Sequence, residues 1–110
     1  ALVVRRSIVE KFKADFDAFL AAYNASVLFM INPDNLDAAA ALCMSVIPNL
    51  DLAKKALPKC GINFFVGEQV QPLIESYLSK ITMANGAAVP LPDATHYYSF
   101  PLGTVAGYAA

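Results

Sequence analysis

The chain has no tryptophan, one histidine and two cysteines, and only 15% of its residues are charged. Each scarcity excludes something. His96 stands between Thr95 and Tyr97 in a stretch without helical pattern. A lone imidazole there reads as a surface residue, since general acid–base work needs a partner placed beside it. No Gly-rich phosphate loop, G-x-S-x-G elbow or H-E-x-x-H pair is present. The closest carboxylate pairs are Asp15/Asp17 and Asp34/Asp37. The first pair has Lys11 and Lys13 nearby, the second belongs at a helix start, and neither has hard-metal loop spacing. The cysteines are too far apart for a C-x-x-C motif, and with one histidine they make a poor zinc set. No enzyme, cofactor or metal is expected.

Charge of one sign is also missing. The formal net charge is −1, so a nucleic-acid partner has no electrostatic basis. Long apolar runs are absent by the same reckoning. The longest uncharged runs before the C-terminal segment are Ala18 to Pro33 and Ala38 to Leu50. Both fall short of the roughly 18 apolar residues of a membrane span, so no transmembrane span is expected. No basic-then-apolar leader precedes Ala1, and a targeting peptide, if there was one, is taken as already removed. Apolar residues make up 57% of the 110 residues, which excludes a disordered chain and allows one real core.

What is present is helix. From Ser7 to Ile31, the residues Ile8, Phe12, Phe16, Phe19, Tyr23, Val27 and Met30 recur at steps of three or four. That spacing sets them on one stripe of a long first helix, with Arg6, Glu10, Lys13 and Asp17 on the other side. Ser7 and Glu10 have capping-box spacing. Pro33 ends the helix, because the residue before a proline is pushed out of the α region. A second helix is expected over Leu36–Ile47, capped by Asp34 or Asn35, and a short third over Leu50–Leu57, capped by Asn49. A fourth runs to about Met83 with Val70, Leu73, Ile74, Tyr77, Leu78 and Ile81 on one stripe, closed at Asn85-Gly86. Ile62 to Val66 could be a strand but has no partner strand. After Ala87 prolines and glycines punctuate a segment holding Tyr97, Tyr98, Phe100 and Tyr108. The expected fold is all-α: a four-helix bundle over residues 1–84 with an irregular C-terminal segment over 85–110. Phe12, Phe16 and Phe19 are expected in its core.

Three further features carry expectations. An even cysteine count in a small domain fits one disulfide, Cys43–Cys60, and an oxidising compartment; two separate buried thiols are the alternative. Asn24-Ala25-Ser26 is a formal glycosylation sequon, but a helix interior is a poor place for a glycan. Two basic groups, Arg5, Arg6, Lys11 and Lys13, then Lys54, Lys55 and Lys59, are candidates for docking on an acidic partner.

The layout resembles a known family. The run Arg5-Arg6-Ser7-Ile8-Val9-Glu10-Lys11-Phe12-Lys13, the long first helix with three shorter ones, the alanine richness and the Cys43/Cys60 pair are similar to the PsbQ-like extrinsic subunits of photosystem II, most of all the additional extrinsic type of diatoms. The resemblance covers Leu2 to Met83 and rests on layout. It implies a non-catalytic protein of the chloroplast thylakoid lumen that docks on the photosystem II core and other extrinsic subunits and supports oxygen evolution. The short third helix departs from an even bundle. From another class, the size also resembles secreted helical carriers of small apolar ligands, with a cavity lined by Phe12, Phe16, Phe19, Tyr77 and Leu78.

Overall fold

The computed structural model describes residues 2–99, and these form helices, short 3-10 turns and irregular links, with no strand among them. The chain is all-helical. Its contacts divide it into two compact units, residues 1–64 and 65–110. This division falls after Phe64, before the last long helix.

The first unit holds α1 (Arg6–Lys11), α2 (Lys13–Ile31), α3 (Leu36–Leu42) and α4 (Leu50–Ala56). The expected single long helix is divided at Phe12, whose φ −127° and ψ 41° are not helical. The chain stays nearly continuous there. Phe12 donates to the Ile8 carbonyl at 2.9 Å and accepts from the Phe16 amide at 2.9 Å. No proline or glycine marks the break. The start also differs from expectation. Arg5 is the N-cap and the helix begins at Arg6, so Ser7 lies inside it and no capping box forms.

Asparagines make the next two starts. Asn35 stands at the N-cap position of α3, as expected, but its side chain makes no capping bond there; the Asn32 side chain accepts from the Asp34 amide at 3.0 Å and caps the 3-10 turn that leads in. Asn35 Nδ2 donates back to the Phe29 carbonyl at 3.3 Å, pinning that turn to the end of α2. Asn49 accepts from the Leu52 amide at 2.9 Å and caps α4 as expected. Both short helices tighten into 3-10 turns, Cys43–Ser45 and Leu57–Lys59, the second holding Pro58.

The core of this unit is small. Ala39, Ala40 and Ala53 are wholly buried, with Leu57 beside them. Phe29, Met30, Leu36, Cys43, Ile47 and Ile62 pack round that cluster. Alanine side chains let α3 and α4 approach closely. On α2 the buried residues are Leu20, Asn24 and Val27, at steps of four and three. This corrects the expected core. Phe12 and Phe19 are 43% and 48% exposed, Tyr23 is also exposed, and Phe16 is only half-buried. The reason is that α2 is apolar nearly all round: Leu20, Ala21, Leu28 and Phe29 fall off the aromatic stripe. With two candidate faces, periodicity alone does not choose which turns inward.

The second unit contains α5 (Val70–Asn85), preceded by a 3-10 turn over Gly67–Gln69. Its end is as expected. Gly86 takes φ 67°, a left-handed conformation that favours glycine, and its amide closes onto the Thr82 carbonyl at 2.9 Å. The Val89 amide then donates to Thr82 Oγ1 at 3.1 Å, which turns the following segment back along the helix. That segment is irregular up to Ser99, apart from one 3-10 turn at Ala94–His96. Phe100 and Tyr108 lie outside the described residues.

Candidate functional site

The first basic group is not a set of four free cations. Arg5 and Arg6 stand at the start of α1. Lys11 Nζ lies 5.2 Å from the centroid of the Phe12 ring, a cation–π contact. Lys13 pairs with Asp17 at 2.7 Å, one helical turn on. In the second group Lys54 pairs with Asp37 at 2.8 Å, while Lys55 and Lys59 are exposed. The hydrogen bond that Lys54 donates to Asp37 is the main cause that holds its pKa above the ordinary value. Lys13 and Lys54 are thus offset by local carboxylates.

The disulfide expectation needs correction. Cys43 and Cys60 are both free thiols. Cys43 packs on the alanine cluster, whereas Cys60 follows the Leu57–Lys59 turn, is exposed, and sets its Sγ 3.3 Å from the Ala56 carbonyl. The two side chains serve different surroundings, one inside and one out. The sequon is settled by packing, because Asn24 is buried and cannot present its amide to a glycan-transferring enzyme.

His96 is exposed, its Nδ1 3.1 Å from Asp93 Oδ1. Asp93 also accepts from the Thr95 amide at 2.8 Å and from the Thr95 hydroxyl, and these bonds hold its carboxyl below the usual range. This is a local turn clasp. Nearby, the Tyr97 hydroxyl is covered without a hydrogen-bond partner, and burial, then the Glu75 carboxylate, push its phenol above the ordinary value. Among the described residues no group of three or more His, Cys, Asp and Glu side chains is placed to hold a metal ion.

Two larger features remain. The first is an open cleft of about 500 Å³ in the first unit, lined by Met30, Ile31, Leu36, Leu57, Pro58 and Ile62, with Asn32 and Asn63 as polar groups. It does not use the expected cavity residues. Phe12, Phe19 and Tyr77 are exposed, and Tyr77 and Leu78 belong to the second unit. The second feature is the outward side of α2. Phe16 and Phe19 stack with centroids 6.4 Å apart, Phe19 and Tyr23 stand 6.1 Å apart, and Tyr23 and Phe64 stand 5.8 Å apart. This aromatic row follows Arg5, Arg6 and Lys11 in the chain.

Sequence reasoning placed that row inside. The signal against it was the missing polar face: from Ala18 to Ile31, the only strongly polar side chains are Asn24 and Ser26. A helix of that kind is also long and apolar enough to cross a membrane. It passes by length and composition, with mean hydropathy 1.3 over 18 residues, so the expectation that no stretch qualifies is revised. Comparison of the chain with family models, curated proteins and solved structures finds no match.

Proposed function

We propose that the protein is a non-catalytic docking subunit of a larger, membrane-associated assembly. The observation that carries this reading is the aromatic row on α2, with Phe19 and Tyr23 exposed beside half-buried Phe16, next to the cations at the start of α1. Contiguous exposed apolar surface of this sort marks an interaction site, and basic residues at its margin orient encounter. The layout resemblance narrows the assembly to photosystem II at its lumenal face, in the role of a PsbQ-like subunit that supports oxygen evolution. The all-helical fold is compatible with the four-helix architecture of that family. The experiment is reconstitution onto purified photosystem II preparations stripped of extrinsic subunits. Wild-type protein should rebind. Replacing Phe19 and Tyr23 together by serine should abolish rebinding, and neutralising Arg5 and Arg6 together should slow it. Equal rebinding by all three would remove this surface from the proposal.

The open cleft favours a second reading, a carrier of a small apolar ligand. Its volume of about 500 Å³ lies in the range of small-molecule sites, roughly 300–1,000 Å³. An apolar molecule retained through purification, with no rebinding to any photosystem preparation, would decide for the carrier.

A further inference from the structure

We infer that the open cleft of the first unit takes a neutral ligand with an apolar body and a hydrogen-bond acceptor, of the ester or ketone class, and prefers it to the carboxylate or amine of the same chain. The inference rests on the carrier reading of that cleft and names the class of molecule carried. Phe16, Phe19 and Tyr23 do not line the cleft, so this site and the docking surface are tested separately.

The lining separates into a floor and a rim. Leu57 is buried, Met30, Leu36 and Ile62 are half-buried, and all four belong to the packing round Ala39, Ala40 and Ala53. The floor is thus the outer side of the unit's core, and an apolar body laid on it is withdrawn from water as a core side chain is. The rim is exposed. Among the described residues its polar side chains are Asn32 and Asn63, and no charged side chain lines the cleft. An ionised head drawn to that rim gives up hydration and meets no opposite charge, whereas a neutral head gains a hydrogen bond.

Asn32 sets the polarity of that bond. Its Oδ1 accepts from the Asp34 amide at 3.0 Å, as the cap of the Pro33–Asn35 turn. This leaves Nδ2, which only donates and has no partner among the described residues. Asn63 Nδ2 reaches the Gly61 carbonyl only at 3.5 Å, beyond the usual hydrogen-bond range. Both rim amides can therefore offer N–H, and a carbonyl oxygen complements them. Prolines fix the walls. Pro33 stands in the turn that leaves α2 and Pro58 in the turn that follows α4. Each locks its φ at about −65°, so two sides of the cleft are set before a ligand arrives and little ordering opposes binding.

The test titrates N-phenyl-1-naphthylamine, a neutral dye that brightens in apolar sites, into the full chain. Methyl octanoate, octanoate and octylamine then compete with it. The ester should displace the dye at concentrations about tenfold below the other two. In NMR spectra it should shift the side-chain NH2 signals of Asn32 and Asn63. Asn32→Asp keeps the capping oxygen and removes the donor. It should weaken the ester about fivefold, the net effect of one hydrogen bond, with dye affinity unchanged. Ile31→Trp enlarges an exposed residue of the lining and should weaken dye and ester alike. Equal displacement by the three competitors, or an ester indifferent to Asn32→Asp, overturns the ligand class while the carrier reading stands. No dye bound, or dye bound equally by the Ile31→Trp chain, overturns both. Dye uptake that follows dimer formation also overturns the inference and assigns the cleft to a second copy of the chain.

Discussion

Lys54 Nζ lies 2.8 Å from Asp37 Oδ1 and joins α4 to the first turn of α3. The pair spans the two helices whose contact is made of alanines, and it removes Lys54 from the set of docking cations. Asp37→Asn should bring the Lys54 pKa down toward its ordinary value, read by NMR titration of the ammonium group. The sign for stability follows. Because the folded state raises the Lys54 pKa, the contribution is complete below the ordinary value of 10.5 and fades as pH rises through the raised one. An Asp37→Asn variant should lose that alkaline dependence. An unchanged Lys54 titration would show that the pair does not persist in solution.

Leu20→Ala and Phe19→Ala should part company. Leu20 is buried and Phe19 is half exposed, although they are neighbours on one helix. Truncating Leu20 should cost about 2–5 kcal/mol. Truncating Phe19 should cost about 1 kcal/mol or less. Denaturant unfolding of the two variants checks this, and the reverse order would turn the helix over.

Thiol labelling should find two free cysteines in the unreduced protein. Cys60 should react first, since it is exposed, and Cys43 should lag until the unit opens, since it packs on the alanine cluster. One slow and one fast phase are expected. Absence of reactive thiol after denaturation would restore the disulfide.

Gly86→Ala should destabilise the end of α5 by about 1–2 kcal/mol, the cost of a Cβ in the left-handed region. A methyl group there meets no neighbouring atom, so backbone conformation alone carries the loss. Amide exchange at Gly86 and Val89 should quicken in the variant. Unchanged exchange would show that the cap is not formed.

Local chemistry was legible in the sequence where it depends on neighbours. Asn49 caps α4, Gly86 closes α5, and Pro33 follows the end of α2, all from short-range stereochemistry. The Ser7 cap failed because the helix starts two residues earlier than that cap requires, with Arg5 at the N-cap position. The face of α2 failed for a different reason. A stripe of aromatics predicts burial only if the rest of the helix is polar, and Leu20, Leu28 and Phe29 offered a second apolar side. Which side packs depends on α3 and α4, whose wholly buried contacts are alanines that no periodicity of large residues reveals. Likewise the basic groups were legible as charge, but their pairing with Asp17 and Asp37 depends on side-chain placement.

The outward aromatic side of α2 carries the proposed docking surface, and side-chain accessibility tests it without any substitution. Hydroxyl-radical footprinting of the monomeric protein reads Phe19, Leu20 and Tyr23 in one peptide. Phe19 and Tyr23 should be modified at the rates of exposed rings while Leu20 is protected. Protection of Phe19 and Tyr23 in the monomer, with Leu20 modified, would contradict the orientation of α2 on which the docking proposal stands.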